Sequence, residues 1–165
     1  MNITAKVDYA MRALLELAQR DRATNAETVA ESQQIPVRFL FGIFSEMRRA
    51  GIITSQRGPD GGYRLARPPC DITPADVIRA LDGPLANVRN AGPEETAYTG
   101  PARHLQHVWV ATRASLRAVL EEVTLADILE ERLPDSVLVI LDRPDAWEPE
   151  LTSRDRRTPH PASPV

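Results

Sequence analysis

The chain has 165 residues, of which 42% are hydrophobic and 26% charged, and it fits one ordinary globular domain with room for an appendage. No stretch reaches the roughly 18 consecutive apolar residues of a membrane span, the opening MNITAKVDYA lacks a signal-peptide pattern, and a single cysteine excludes an intrachain disulfide. The net charge of -3 hides an asymmetry: residues 1–67 carry ten Lys+Arg against seven Asp+Glu (+3), and residues 68–165 carry ten against sixteen (-6).

Taken in chain order, Thr4 to about Arg20 places Val7, Met11, Leu14, Leu15 and Ala18 on one helical face and predicts a helix. Thr24-Asn25-Ala26-Glu27 reads as a capping box that opens a short helix to about Ser32 with Val29 and Ala30 inward. Pro36 can open a third helix without losing a needed donor. Its apolar stripe is Phe39, Leu40, Ile43, Phe44 and Met47, and Arg48-Arg49-Ala50-Gly51 supplies a cationic end and a glycine stop.

Two helices joined by Gln33 to Ile35 make a helix-turn-helix pattern, which alone is a weak signal. The next fifteen or so residues strengthen it. Ile52 to Gln56 reads as a strand, Arg57 to Gly62 as a turn and Tyr63 to Ala66 as a returning strand, so a hairpin, a wing, stands directly behind the third helix.

Thr73-Pro74-Ala75-Asp76 starts a short helix that ends near Asp82-Gly83-Pro84. Residues 86–101 lack periodicity and read as a loop. Leu105, Val108, Trp109, Thr112, Leu116, Val119, Leu120 and Val123 recur at helical spacing over about 20 residues. Thr124 to Asp127 caps a final helix to about Leu133, Val137 to Leu141 reads as a short strand, and Pro144 to Val165 as a disordered Pro-rich tail.

The segments DYAMRALLELA, IPVRFLFGIFSEMRRAGII, RGPDGGYRLARPP, ITPADVIRALDGPL and LEEVTLADIL together resemble the Rrf-two family of bacterial winged helix-turn-helix transcriptional regulators, which includes the iron-sulfur cluster assembly regulator. The likeness covers about Met1 to Leu133, and its most specific pieces are the wing Arg57 to Leu65 and the segment Thr124 to Asp127. It implies a mainly α fold with a small β-wing: residues 1–67 as the DNA-binding domain, 68–101 as a connecting helix and effector-region loop, 102–133 as dimerisation helices, and 134–165 as a short apolar segment and tail. It also implies a homodimer on a dyad operator in double-stranded DNA, read as a repressor; the lack of a membrane span and of a signal-peptide pattern leads to an expected cytoplasmic location.

The candidate DNA contacts are Thr24, Val37, Arg38, Phe41, Arg57, Gly61, Tyr63 and Arg64. Arg38, on the exposed first turns of the third helix, suits bidentate contact with guanine, worth about 1–3 kcal/mol of discrimination. Arg57 matches a wing arginine that the family uses at the minor groove. Tyr63 is read as a wing-packing residue, and Arg64 as either a phosphate contact or a solvated side chain. Phe41 and Gly42 depart from the polar pair, often Glu-Gln, of the family; Phe41 either touches thymine methyls or packs within the domain. The candidate dimer residues are Leu105, Val108, Trp109, Thr112, Leu116, Val119 and Leu120.

Many family members hold an iron-sulfur cluster with three cysteines in the stretch corresponding here to about 90 to 106. This chain has none there, so no cofactor is expected. Cys70 reads as an incidental loop cysteine, with oxidation or an intersubunit disulfide as the other reading. Asp8, His104 and His107 are the remaining candidates for zinc or non-haem iron, set against the frequency of paired surface histidines. No phosphate loop, G-x-S-x-G elbow or H-E-x-x-H is present, so the reading is not an enzyme. An effector is either an unidentified small molecule, bound near residues 86–101 and Trp109, or none. The rival reading is a winged-helix protein-interaction module that has lost specific DNA binding, to which Phe41-Gly42 and the acidic C-terminal half lend support.

Overall fold

The computed structural model describes residues 2–20, 22–58 and 61–148. The first helix, α1 (Ala5–Arg20), touches α2 (Ala26–Gln33), α3 (Val37–Arg49), strand β2 (Gly62–Leu65), α4 (Pro74–Leu81) and α6 (Leu125–Leu129). Being enclosed on several sides, it buries Val7, Ala10, Ala13, Leu14, Glu16 and Leu17, while Met11 and Leu15 are only partly covered. The buried face is therefore rotated from the stripe expected from Val7, Met11 and Ala18. Alanines at the centre let neighbouring helices approach closely.

Glu16 is the one buried charged side chain among the described residues, and it is fully engaged: it accepts from Arg20 Nε at 2.6 Å and from Gln33 Nε2 at 2.7 Å. Burial pushes its carboxyl up, but the hydrogen bonds to Gln33, Ser32 and Arg20 and the Arg20 charge outweigh that and hold it below the ordinary glutamate value.

The cap of α2 corrects the expectation. Asn25, not Thr24, accepts from the Thr28 amide at 2.7 Å. Thr24 is taken by tertiary pairing: its N–H donates to the Tyr63 carbonyl at 2.9 Å and its carbonyl accepts from the Tyr63 N–H at 2.8 Å. Its hydroxyl donates to the Arg22 carbonyl and the residue is buried, so Thr24 leaves the set of exposed candidate contacts.

After a left-handed residue at Gln34 (φ 53), α3 begins and buries Leu40, Ile43, Phe44 and Met47. Phe39, expected in that stripe, is 66% exposed. At about 100° per residue it lies roughly 90° from the midline of the buried four, where nothing covers it. Strands β1 (Ile53–Gln56) and β2 pair antiparallel with Ile53 opposite Leu65 and Ser55 opposite Tyr63. An isolated bridge between Thr24 and Tyr63 ties this two-stranded sheet to the turn before α2.

A 3₁₀ turn at Pro69–Asp71 leads to α4, which starts at Thr73 as expected, with Thr73 and Asp76 closing a reciprocal capping box. The stretch to residue 104 is irregular, with 3₁₀ turns at Pro93–Glu95 and Gly100–Ala102. Helix α5 (Leu105–Leu120) spans 16 residues and buries none of them. It stops short of the expected Val123 because Thr124 and Asp127 form a reciprocal cap that starts α6.

Helix α6 is five residues long and packs into the winged domain: the Leu125 N–H donates to the Ile72 carbonyl at 3.0 Å and Leu125 is 0% exposed. The chain divides into two compact units, Met1–Pro134 and Asp135–Val165. In the second, Asp135–Leu141 is a helix, α7, and not the strand expected over Val137 to Leu141. A short apolar run satisfies either period, and Asp135 favours the helical start. The Trp147 indole donates to the Leu141 carbonyl at 3.1 Å. The expected tail lies outside the described residues beyond Glu148.

Candidate nucleic-acid interface

Helix α3 presents one face to the core and the other to solvent. Leu40, Ile43, Phe44 and Met47 clamp it from behind. Arg38, Phe41, Gly42, Ser45 and Arg49 are all exposed on the opposite side, with Phe41 46% accessible. Phe41 thus stands outside the buried core of the domain. Val37 is partly buried against the core.

The wing is set against α3 by two contacts. The Tyr63 ring lies on Phe44 with centroids 4.4 Å apart, the packing role expected of it. Arg48 Nη1 donates to Ser55 Oγ at 3.3 Å, tying the end of α3 to β1. Arg57 and Arg64 are both exposed.

The Gly61-Gly62 pair has a steric cause. A Cβ on Gly61 would lie 2.6 Å from the Gln56 carbonyl oxygen, closing the turn on itself. Gly62 has φ +151, and a Cβ there would lie 2.5 Å from the Thr24 carbonyl oxygen. Only glycine lets the Thr24 segment lie against β2.

Two open clefts flank the wing. One, of about 480 Å³, lies between the N-terminus of α2 and the hairpin and is lined by Arg20, Arg22, Asn25, Thr28, Gln56 and Gly61. The other, of about 270 Å³, is lined by Arg22, Arg64 and Arg67 with Leu17 and two prolines. Arg67 also donates to Asp76 at 3.3 Å. Arg22, absent from the sequence-derived candidates, borders both. A solvent-facing arginine in a connecting turn carries no local signal, and only the fold brings it beside Arg64.

The remaining candidates lie elsewhere. On α5, Val108 is 53% exposed and Leu105, Trp109, Leu116, Val119 and Leu120 are half-buried, so an apolar face is left uncovered within one chain. Arg113 pairs with Glu94 at 2.6 Å and Gln106 donates to the Glu94 carbonyl at 3.0 Å, which latches the irregular segment to α5. The Glu94 backbone N–H and Arg113 hold its carboxyl below the ordinary value. The Arg89 guanidinium lies over the Tyr98 ring at 5.8 Å.

Asp8 pairs with Arg12 at 3.4 Å, and the His104 and His107 rings stand 5.6 Å apart. Among the described residues no three His, Cys, Asp or Glu side chains gather as a metal site, so these three are not brought together. Cys70 is exposed on the turn behind the wing. No described helix is long and apolar enough to cross a membrane.

A three-helix core with the third helix half exposed, backed by an antiparallel hairpin carrying arginines, is a winged helix-turn-helix domain, mainly α with a small β-wing. The chain is 45% identical over 144 residues to an HTH-type transcriptional regulator of Mycobacterium tuberculosis strain H37Rv, covering 86% of this chain and 89% of that one. It is 32% identical over 130 residues to the HTH-type transcriptional regulator CymR of Bacillus subtilis, covering 78% of this chain and 89% of the relative. The solved structure of CymR, the global cysteine regulator of B. subtilis, matches with a TM-score of 0.67 at 29% identity over 79% of this chain and 98% of that chain. That of T. potens IscR matches with a TM-score of 0.64 at 30% identity over 79% and 88%. The Rrf2 family model, described as an iron-dependent transcriptional regulator, matches residues 3–131.

The chain belongs to the Rrf2 family of transcriptional regulators. The iron in that description meets a chain with one cysteine, placed on an exposed turn. These residues do not fit a thiolate-held iron-sulfur cluster.

Proposed function

We propose that the protein is a sequence-specific DNA-binding repressor that acts as a homodimer on a dyad operator, without a cysteine-ligated cluster. The observation that carries the reading is the exposed face of α3, with Arg38 on its first turn, set by Tyr63 and Arg48 beside a wing that bears Arg57 and Arg64. In such a docking α3 enters the major groove, Arg38 reads a guanine edge, and Arg57 reaches the adjacent minor groove. The arginine-lined clefts beside α2 and the wing suit the phosphate backbone. The uncovered apolar face of α5 supports pairing through Leu105, Val108, Trp109, Thr112, Leu116, Val119 and Leu120. Pairing by α5 would place two recognition helices on a two-fold axis, which requires approximate palindromy in the site.

A small-molecule effector would act by favouring one arrangement of the two copies. The open depression of about 480 Å³ lined by Arg89, Tyr98, Leu105 and Trp109 is where it would sit. The exposed phenyl rings of Phe39 and Phe41 are the observation favouring the alternative, a protein-docking module.

In vitro selection from random duplexes separates the two. An enriched palindromic motif is expected, and no motif at low salt overturns the DNA reading. On the recovered operator, Arg38→Ala should cost specific binding about 1–3 kcal/mol while leaving binding to random DNA nearly unchanged. Equal losses on both would remove Arg38 from the base-reading set.

A further inference from the structure

We propose, resting on that DNA-binding reading, that α3 selects its operator through the 5-methyl groups of thymine, received against Phe41 in a notch left open by Gly42. Two phenyl rings stand on the solvent side of α3, Phe39 at 66% and Phe41 at 46% exposure. At about 100° per residue they project roughly 160° apart, one on each flank of the helix. Between them the exposed ridge runs through Arg38, Gly42, Ser45 and Arg49.

Gly42 is the telling residue. Glycine in a helix interior weakens the helix relative to alanine, and it is usually retained where something must approach the backbone. A Cβ placed on Gly42 would meet nothing within 4 Å. Packing inside the chain therefore does not require glycine there. The space it leaves opens outward, beside Phe41, at the height on the helix where base edges are read.

The surroundings select the occupant. An apolar patch that docks a protein would be rimmed by mixed polar groups. Here α3 carries exposed Arg38 at its start and Arg48 and Arg49 in its last turn, and its one carboxylate, Glu46, is bound to Lys6 at 2.7 Å. A cationic surface with an apolar centre matches a polyanion that displays apolar groups in its groove. In duplex DNA the apolar group of the major groove is the thymine 5-methyl.

The test uses the full-length chain and the operator recovered by selection. Each thymine is replaced in turn by 2′-deoxyuridine, which keeps the base pair and removes only the methyl group. At one or two positions per half-site, wild-type binding should weaken about three- to fivefold, the worth of one buried methyl. Phe41→Ala should bind the thymine and uracil operators equally, and Phe41→Leu should retain part of the difference. Gly42→Ala should melt no lower than wild type by circular dichroism, yet lose the thymine preference, so that a folding defect is not mistaken for lost recognition.

If no thymine is sensitive to uracil while an operator is still bound, the methyl reading is overturned and the DNA-binding function stands. Sensitivity that persists undiminished in Phe41→Ala overturns the assignment to Phe41. Failure to enrich any motif overturns both and transfers the phenyl pair to a protein partner.

Discussion

Helices α1 and α5 are each 16 residues long, yet α1 buries six side chains and α5 buries none. Helix α1 is completed by its own chain: α2, α3, α4, α6 and the wing surround it. Helix α5 meets chiefly the Pro93–Glu95 turn, through the Glu94 latch, and α4, and leaves Val108 and Val110 in solvent. Apolar side chains at helical spacing that remain uncovered in one chain call for a second surface. The difference separates a helix that the fold itself completes from one whose apolar face is left for the homodimer proposed above.

The sharpest way to break this contrast is to alter one residue of each kind. Leu14→Ala should cost about 2–5 kcal/mol of unfolding free energy in denaturant melts, because Leu14 is fully buried at the centre of α1. Leu116→Glu, half-buried on α5, should instead weaken self-association about 100-fold, roughly 2.7 kcal/mol, in sedimentation equilibrium. Its cost to the folded monomer should stay within about 0.5 kcal/mol. A large stability loss with association intact would mean that α5 is a core helix after all.

Glu16 tests the enclosed helix through pH. Its folded carboxyl lies below the ordinary value, so its contribution is fully present above the ordinary glutamate range and is lost as pH falls through the folded value. Glu16→Gln should cost about 1–3 kcal/mol at neutral pH, and the gap to wild type should shrink in acid. A gap independent of pH would show that the carboxylate charge is not what the site uses.

The smallest effect is expected where α5 hands over to α6. Thr124→Ala removes one half of the reciprocal cap with Asp127 and should cost about 1 kcal/mol in thermal or denaturant melts. Asp127, held below its ordinary pKa first by the Thr124 hydroxyl, should titrate closer to the ordinary value in that variant.

The helix-turn-helix and wing are legible in the sequence because their signals are local. Proline and glycine punctuation, threonine caps and period-2 strands each act within a few residues. Sequence and structure part where tertiary contacts decide. In α1 the large residues Met11 and Leu15 draw the predicted stripe, whereas close packing selects Ala10 and Ala13. Thr24 has the sequence of a cap, but pairing with Tyr63 claims its backbone and leaves the cap to Asn25. Phe39 reads as core because it is apolar and adjacent to Leu40, although its angular position faces solvent. Of the candidate site, Arg38, Phe41, Arg57 and Arg64 do emerge exposed beside one another's elements. Arg22 and the Gly42 notch needed coordinates, since neither turn arginines nor a helix glycine announces what lies opposite.

The bridge between Thr24 and Tyr63 has a mechanical consequence. It staples the turn before α2 to the returning strand, while the Tyr63 ring is wedged on Phe44 of α3. The hairpin thus has its base held at two points to the helices it accompanies. Helix and hairpin are thereby set against each other when the domain folds. In the homodimer proposed above, the quantities left to adjust would be the distance and tilt between two such units, and a signal would reach them through α5.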